Sequence, residues 1–318
     1  MAGDVSATPA VVNGVVYVPD WGGYLSAIRA SNGHVIWRRL ISSYNAIAGS
    51  VSRTDPVVDG STLVIGTQSG ADVIAIDTAT GARKWVTRAD AHPHAQITGA
   101  GIIDAGVVYI GVSSSEEAAA TNPDYDFGAG PNLFTAKSTA GKVETLLGIG
   151  QKSGIYWALN PSSGQLAWDT FLGPGGTQWG TATDDKWIYV AESNGSNTPF
   201  TLRGSGSEAG KTCKGGAWSE LNPATGHIRW QTCDPAGAID TGAVSVADGV
   251  VYVGSLARAG TNMYALNATT GHIIWSYASG GSVAAGPAIV GGSVYWGSGY
   301  SKSQTGSPSR RLYAFGVA

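Results

Sequence analysis

One phrase is written five times along this chain. It opens on Ala followed by Ile or Leu, reaches a Gly five residues after that second residue, and closes on a Trp four residues further on. The copies are Ala27-Ile28 to Gly33 to Trp37, Ala75-Ile76 to Gly81 to Trp85, Ala158-Leu159 to Gly164 to Trp168, Glu220-Leu221 to Gly226 to Trp230, and Ala265-Leu266 to Gly271 to Trp275. The spacing never varies, and only Glu220 departs from the pattern. A recurrence of roughly 40 to 50 residues is the mark of one supersecondary unit stacked many times. Whatever fold is chosen must place five equivalent tryptophans in five equivalent positions.

Along the chain runs a second pattern: a short apolar run, a tight turn, and a β-branched run that ends on Tyr in all copies but one. It is seen in Thr8 to Tyr17 around Asn13-Gly14, and again at Asp55 to Val64, Ile102 to Tyr109, Thr181 to Tyr189, Gly242 to Tyr252 and Gly286 to Tyr295. These are hairpins. The Ala-Ile/Leu pair sits on a third strand, and the Gly turn feeds a fourth strand that carries Trp. One four-stranded sheet cannot bury its apolar face alone, whereas sheets packed face to face around an axis can. The prediction is an all-β fold: a β-propeller of about seven, within a range of six to eight, four-stranded antiparallel blades in a single domain over 1–318. The sectors fall at 6–54, 55–96, 97–140, 141–178, 179–240, 241–282 and 283–318, with six blades as the alternative. The sector at 97–140 is expected to be incomplete, because the Trp phrase is missing there. The closing sector at 283–318 lacks a fourth strand.

Composition narrows the function. The chain has 318 residues, 47 of them Gly, and a formal net charge of −3, which leaves no basic footprint for nucleic acid. No apolar run reaches the roughly 20 residues of a membrane span, and no signal peptide is read in this chain. Cys213 and Cys233 are the two cysteines; one disulfide in an oxidising compartment and two thiols both remain open. Asn194-Gly-Ser196 and Asn267-Ala-Thr269 match the glycosylation sequon. His34, His227 and His272 each follow a repeat Gly and are expected far apart on outer turns, while His92-Pro-His94 reads as local loop structure. There is no Cys-x-x-Cys-His for a c-type haem.

The repeat resembles that of the pyrroloquinoline quinone (PQQ) enzymes, whose blades share Ala-x-x-x-x-Thr-Gly-x-x-x-Trp. Longer phrases sharpen the resemblance: Asp124 to Phe134, Gly150-Gln-Lys-Ser-Gly-Ile-Tyr-Trp-Ala-Leu159, Trp179 to Asp184, Gly280 to Pro287 and Tyr295-Trp-Gly-Ser-Gly-Tyr300. Together they are similar to polyvinyl-alcohol-dehydrogenase-like quinoproteins. The resemblance implies PQQ and Ca²⁺ in the axial funnel, an alcohol or polymeric alcohol as substrate, a separate electron acceptor such as a cytochrome c, and a periplasmic or secreted location. The same repeat also builds cofactor-free scaffolds, so a non-catalytic binding propeller is the alternative function.

Carried over by resemblance, Lys152 is the cation that contacts the quinone oxygens; otherwise it stands in an exposed turn. Asp126 is the candidate base for the alcohol proton and a metal ligand, with Asp124 as the alternative base. Glu116 or Glu117 is the calcium-ligating glutamate, since hard Ca²⁺ takes carboxylate oxygens. Trp179 either caps the funnel against the cofactor or packs. The chain departs from the family where a vicinal Cys-Cys, an Arg-Gly phrase, a Trp-Gly blade and a Gly-Asn ligand are expected. Only Ala118 to Pro123 separates Glu117 from Asp124, as though more than one blade were missing there.

Overall fold

A computed structural model describes residues 1–104, 106–115, 125–137, 141–301 and 305–316. The turn that carries the repeat Gly shows why the phrase is so strict. All five glycines, Gly33, Gly81, Gly164, Gly226 and Gly271, have φ of 70° to 72°, which a side chain resists and glycine accepts. Each closes its turn by donating its N–H to a carbonyl four residues back, as Gly81 does to Asp77 at 2.9 Å and Gly271 to Asn267 at 2.8 Å. Asp77, Asn160 and Asn267 add side-chain acceptors that cap N–H groups two and three residues on, and Asn222 caps the one two residues on, the local bonding that favours Asx residues in turns. The pairing register shifts between the Ala and the Ile or Leu, or between Glu220 and Leu221, in all five copies. The pair therefore marks a β-bulge.

Among the described residues five sheets have four antiparallel strands and one has three, in simple up-and-down order, beside three two-stranded ribbons. The first sheet is Ala10–Val12, Val15–Pro19, Tyr24–Arg29 and Val35–Leu40, and the second runs from Val57–Asp59 to Arg83–Arg88. In the third sector the sheet is reduced to a hairpin, Ile102–Asp104 with Val107–Tyr109. Asn132–Lys137, expected within the incomplete sector, pairs instead with Val143–Gly150 and opens the fourth sheet. The expectation of about seven four-stranded blades thus becomes six blades and a hairpin. Among the described residues no third or fourth strand joins Val107–Tyr109 in that sheet.

Innermost strands touch their neighbours in order around the ring, and Ala10–Val12 of the first sheet meets Ala288–Val290 of the seventh. Gly130 lies against Ala100, which brings the third sector to the fourth. Side chains fasten the seam between seventh and first: Asp4 accepts bonds from Ser301 and Ser309, and Thr8 Oγ1 accepts the Gly286 N–H at 3.0 Å.

The tryptophans are the fastenings between blades. Trp37 lies on Gly81 of the next sheet, where a Cβ would come within 2.8 Å of the indole, and its Nε1–H donates to the Thr78 carbonyl at 2.9 Å. Trp168 lies on Gly226 and donates to Pro223 at 2.8 Å, and Trp230 lies on Gly271 and donates to Ala268 at 2.9 Å. In each case the acceptor precedes the Gly by three residues. Trp37 and Trp230 are buried, at 6% and 1% exposure, whereas Trp85 and Trp275 stand at 40% and 39%. Glu220, the one departure from Ala, is buried opposite Trp230 and pairs with Arg229 at 3.4 Å.

Candidate functional site

Residues from non-adjacent sectors can meet only at the propeller axis, and several do. Arg53 precedes the second sheet, Trp179 precedes the fifth, and Tyr300 follows Ser293–Ser298, the second strand of the seventh. The Arg53 guanidinium lies 4.3 Å from the Trp179 ring centroid, and Tyr300 meets the same ring edge-on at 4.8 Å. Trp179 is buried at 5% exposure against Ala243, Leu256 and Ala284. Among the described residues its indole N–H has no hydrogen-bond acceptor, and neither has the Arg53 Nε–H. Two buried donors without partners, one of them cationic, are costly unless an acceptor joins them.

Asp126 and Lys152 come together beside this group. Lys152 sits in the turn between Val143–Gly150 and Ile155–Leu159, and that turn is folded inward rather than exposed. Its Nζ lies 2.9 Å from Asp126 Oδ1, with both side chains at or below 20% exposure. The Lys152 N–H donates to the Asp126 carbonyl at 3.1 Å, and the Ser114 N–H donates to Asp126 Oδ2 at 2.9 Å. The carboxylate is therefore held on both oxygens, and the backbone holds the pair in register. Asp126 also acts electrostatically on Arg53, which ties the ion pair to the Trp179 group.

Two charged residues of this centre, Arg53 and Asp55, carry no sequence motif that marked them. Burial lowers the Arg53 guanidinium to about 10, opposed by Tyr300, Asp126 and Asp55. Burial raises the Asp55 carboxyl to about 7, opposed by Thr8 and by Arg53. The Thr8 N–H donates to Asp55 Oδ1 at 2.6 Å. The legible signal was Arg53-Thr54-Asp55 immediately before an apolar first strand: a cation and an anion entering the core need a reason. Tyr300 lay within a phrase read only for family resemblance. Glu116, Glu117 and Asp124 lie outside the described residues. Among the described residues no group of three or more His, Cys, Asp or Glu side chains is arranged to hold a metal ion.

The remaining sequence candidates resolve simply. Cys213 and Cys233 form a disulfide with Cα atoms 5.7 Å apart, stapling an insertion of the fifth sheet. Asn194 of the first sequon is buried, and its amide donates to the Thr198, Lys214 and Gly215 carbonyls, so it is spent on structure. No helix among the described residues is long and apolar enough to cross a membrane.

A family model described as outer membrane protein assembly factor BamB, built on the PQQ-type repeat, matches residues 1–124 and 214–309. The chain belongs to this PQQ-repeat family. A polyvinylalcohol dehydrogenase of Sphingopyxis sp. (strain 113P3) is 29% identical over 346 residues, covering 93% of this chain and 50% of that protein. The chain thus spans about half the length of that relative. Two solved structures share the fold. Quinohemoprotein alcohol dehydrogenase from Comamonas testosteroni has a TM-score of 0.61 at 16% identity, over 92% of this chain and 63% of that one. BamB from Moraxella catarrhalis has a TM-score of 0.54 at 15% identity, over 92% of this chain and 82% of that one.

Proposed function

We propose that this chain is a quinoprotein of the alcohol dehydrogenase type, binding PQQ with Ca²⁺ at the propeller axis and oxidising secondary or polymeric alcohols. The observation that carries the reading is the axial meeting of the Asp126–Lys152 ion pair with Arg53 and Trp179. PQQ is a planar quinone bearing carboxylates, and the residues present fit such a group. Arg53 and Trp179 offer buried donors without partners, and Lys152 offers a second cation. When bound, the quinone supplies the two-electron acceptor that the protein lacks. Lys152 orients and polarises; Asp126, fixed by Lys152 and Ser114, is placed to take the proton of an alcohol hydroxyl. Glu116 or Glu117, with Asp126, would supply hard oxygen ligands to Ca²⁺, and Asp124 is the alternative base. The electrons leave to a separate acceptor such as a cytochrome c. The disulfide supports a periplasmic or secreted location.

A second reading, a non-catalytic propeller that binds a partner, is supported by the Arg53 guanidinium over the Trp179 face, where a stacked ring would otherwise lie. Incubation with PQQ and excess Ca²⁺, followed by gel filtration and the quinone's absorbance, separates the two. Retained quinone together with dye reduction by secondary alcohols supports the enzyme. A folded protein that retains none supports the scaffold and rejects the enzyme.

A further inference from the structure

Between its second and third strands the fifth sheet makes an excursion over residues 193–216, stapled to the outer strand Ile228–Cys233 by the Cys213–Cys233 disulfide. The middle of the excursion returns as a strap along that outer strand. The Arg203 N–H donates to Gln231 Oε1 at 2.8 Å, and the Ser205 N–H donates to the Arg229 carbonyl at 2.8 Å. Gly204, at φ of 90°, allows this approach, since a Cβ there would come within 2.5 Å of the same carbonyl. Leu202, buried with Cys213 and Ala217, anchors one end. Gln231 Nε2 donates in turn to the Leu172 carbonyl at 3.0 Å, which ties the strap to the fourth sheet. Arg203 is thereby held beside Phe171, its guanidinium 5.8 Å from the ring centroid.

A cleft of about 540 Å³ opens at this point on the rim, lined by Asp169 and Phe171 of the fourth sheet, Arg203 of the strap and His227 of the fifth sheet. Its size is that of a small-molecule site. Its floor is rigid, because Trp168 lies on Gly226 and the Thr170 hydroxyl donates to the Gly226 carbonyl at 2.7 Å. Its polar side chains are unengaged. Among the described residues the Asp169 carboxylate, the Arg203 guanidinium and the His227 imidazole have no hydrogen-bond or ion-pair partner, so opposite charges line one cleft without meeting. The Phe171 ring stands at 50% exposure. Partial burial holds the Arg203 guanidinium below its ordinary value, and no carboxylate offsets that cost.

We propose that this rim cleft binds a sugar acid, a pyranose ring bearing one carboxylate. The carboxylate meets the Arg203 fork, the pairing that guanidinium geometry favours. Ring hydroxyls donate to Asp169, whose charge disfavours a more highly charged anion such as phosphate. The apolar face of the ring covers Phe171, and the His227 imidazole donates or accepts according to its tautomer. One ligand thus joins a cation and a carboxylate that do not reach each other. A neutral sugar would leave Arg203 unpaired, and a simple carboxylate would leave Asp169 and Phe171 uncovered. The site is built on the rim from the fourth and fifth sheets alone and is independent of the axial quinone reading.

Calorimetric titration of sodium glucuronate into the whole chain without quinone, at constant ionic strength, is expected to saturate in the low millimolar range. Glucose and acetate should each bind at least about tenfold more weakly. Arg203→Gln should lower glucuronate affinity at least about tenfold, and Phe171→Ala at least about threefold. Lys152→Met, at the axis, should leave it unchanged. Absence of saturation to about 50 mM, or glucose or acetate binding as well as glucuronate, overturns the proposal. So does an affinity that Arg203→Gln leaves intact or that Lys152→Met removes, because the ligand would then sit elsewhere. Arg203 and Phe171 are both exposed, so matching far-UV spectra and melting profiles certify the variants.

Discussion

Five tryptophans occupy equivalent places, but their surroundings differ, and truncating them one at a time reads out what each fastening is worth. Trp230→Ala removes a side chain at 1% exposure, its 2.9 Å bond to Ala268, and its contact with Tyr189. Losing about 200 Å² of buried apolar surface at about 25 cal/mol/Å² gives about 5 kcal/mol as an upper figure. The carbonyl left without its donor adds about 1 kcal/mol, and relaxation of the cavity takes some back, so about 3–5 kcal/mol is expected. Trp275→Ala removes a ring at 39% exposure with no indole hydrogen bond, and should cost less than about 2 kcal/mol. In urea, with a slope of about 3 kcal/mol per molar, the first variant moves the midpoint down by about 1 M or more and the second by about half that or less. Equal shifts would refute the reasoning, because the Trp-on-Gly contact would then contribute nothing beyond ring burial within its own sheet.

Burial raises the carboxyls of Asp55 and Glu220 to about 7, and those of Asp240 and Glu192 well above their ordinary values. Folded carboxyls that titrate above their unfolded range hold extra protons, so stability should fall as pH rises from about 4 to about 7; urea midpoints across that window should decline, and Asp55→Asn should flatten the decline. Reducing the disulfide, whose cysteines are 20 residues apart, should cost about 3 kcal/mol, seen as a lower melting temperature with dithiothreitol that Cys213→Ala reproduces. Lys152→Met leaves Asp126 without its ion-pair partner and should weaken PQQ retention at least about tenfold, measured by equilibrium dialysis; unchanged retention would place the quinone elsewhere.

Much of this architecture was legible because it is local. The leading pair and the Gly of each phrase encode a bulge and a left-handed turn, and the Trp encodes an inter-blade contact at Trp37, Trp168 and Trp230, all within eleven residues. The Asp126–Lys152 meeting was legible through family phrases, although neither residue type nor spacing alone would bring them together. Arg53 and Asp55 escaped because their partners are distant in sequence: Thr8, at the neighbouring blade, lies 47 residues from Asp55, and Trp179 reaches Arg53 from across the ring. The start of the fourth sheet was misplaced because no Trp phrase sets the period before Asn132–Lys137, so only its pairing with Val143–Gly150 shows where the blade begins.

The seam between seventh and first sheets has a mechanical meaning. No strand crosses it among the described residues; the Asp4 carboxylate and the Thr8 hydroxyl hold it. Under load, each blade resists through a ladder of main-chain bonds sheared together, whereas the seam yields bond by bond.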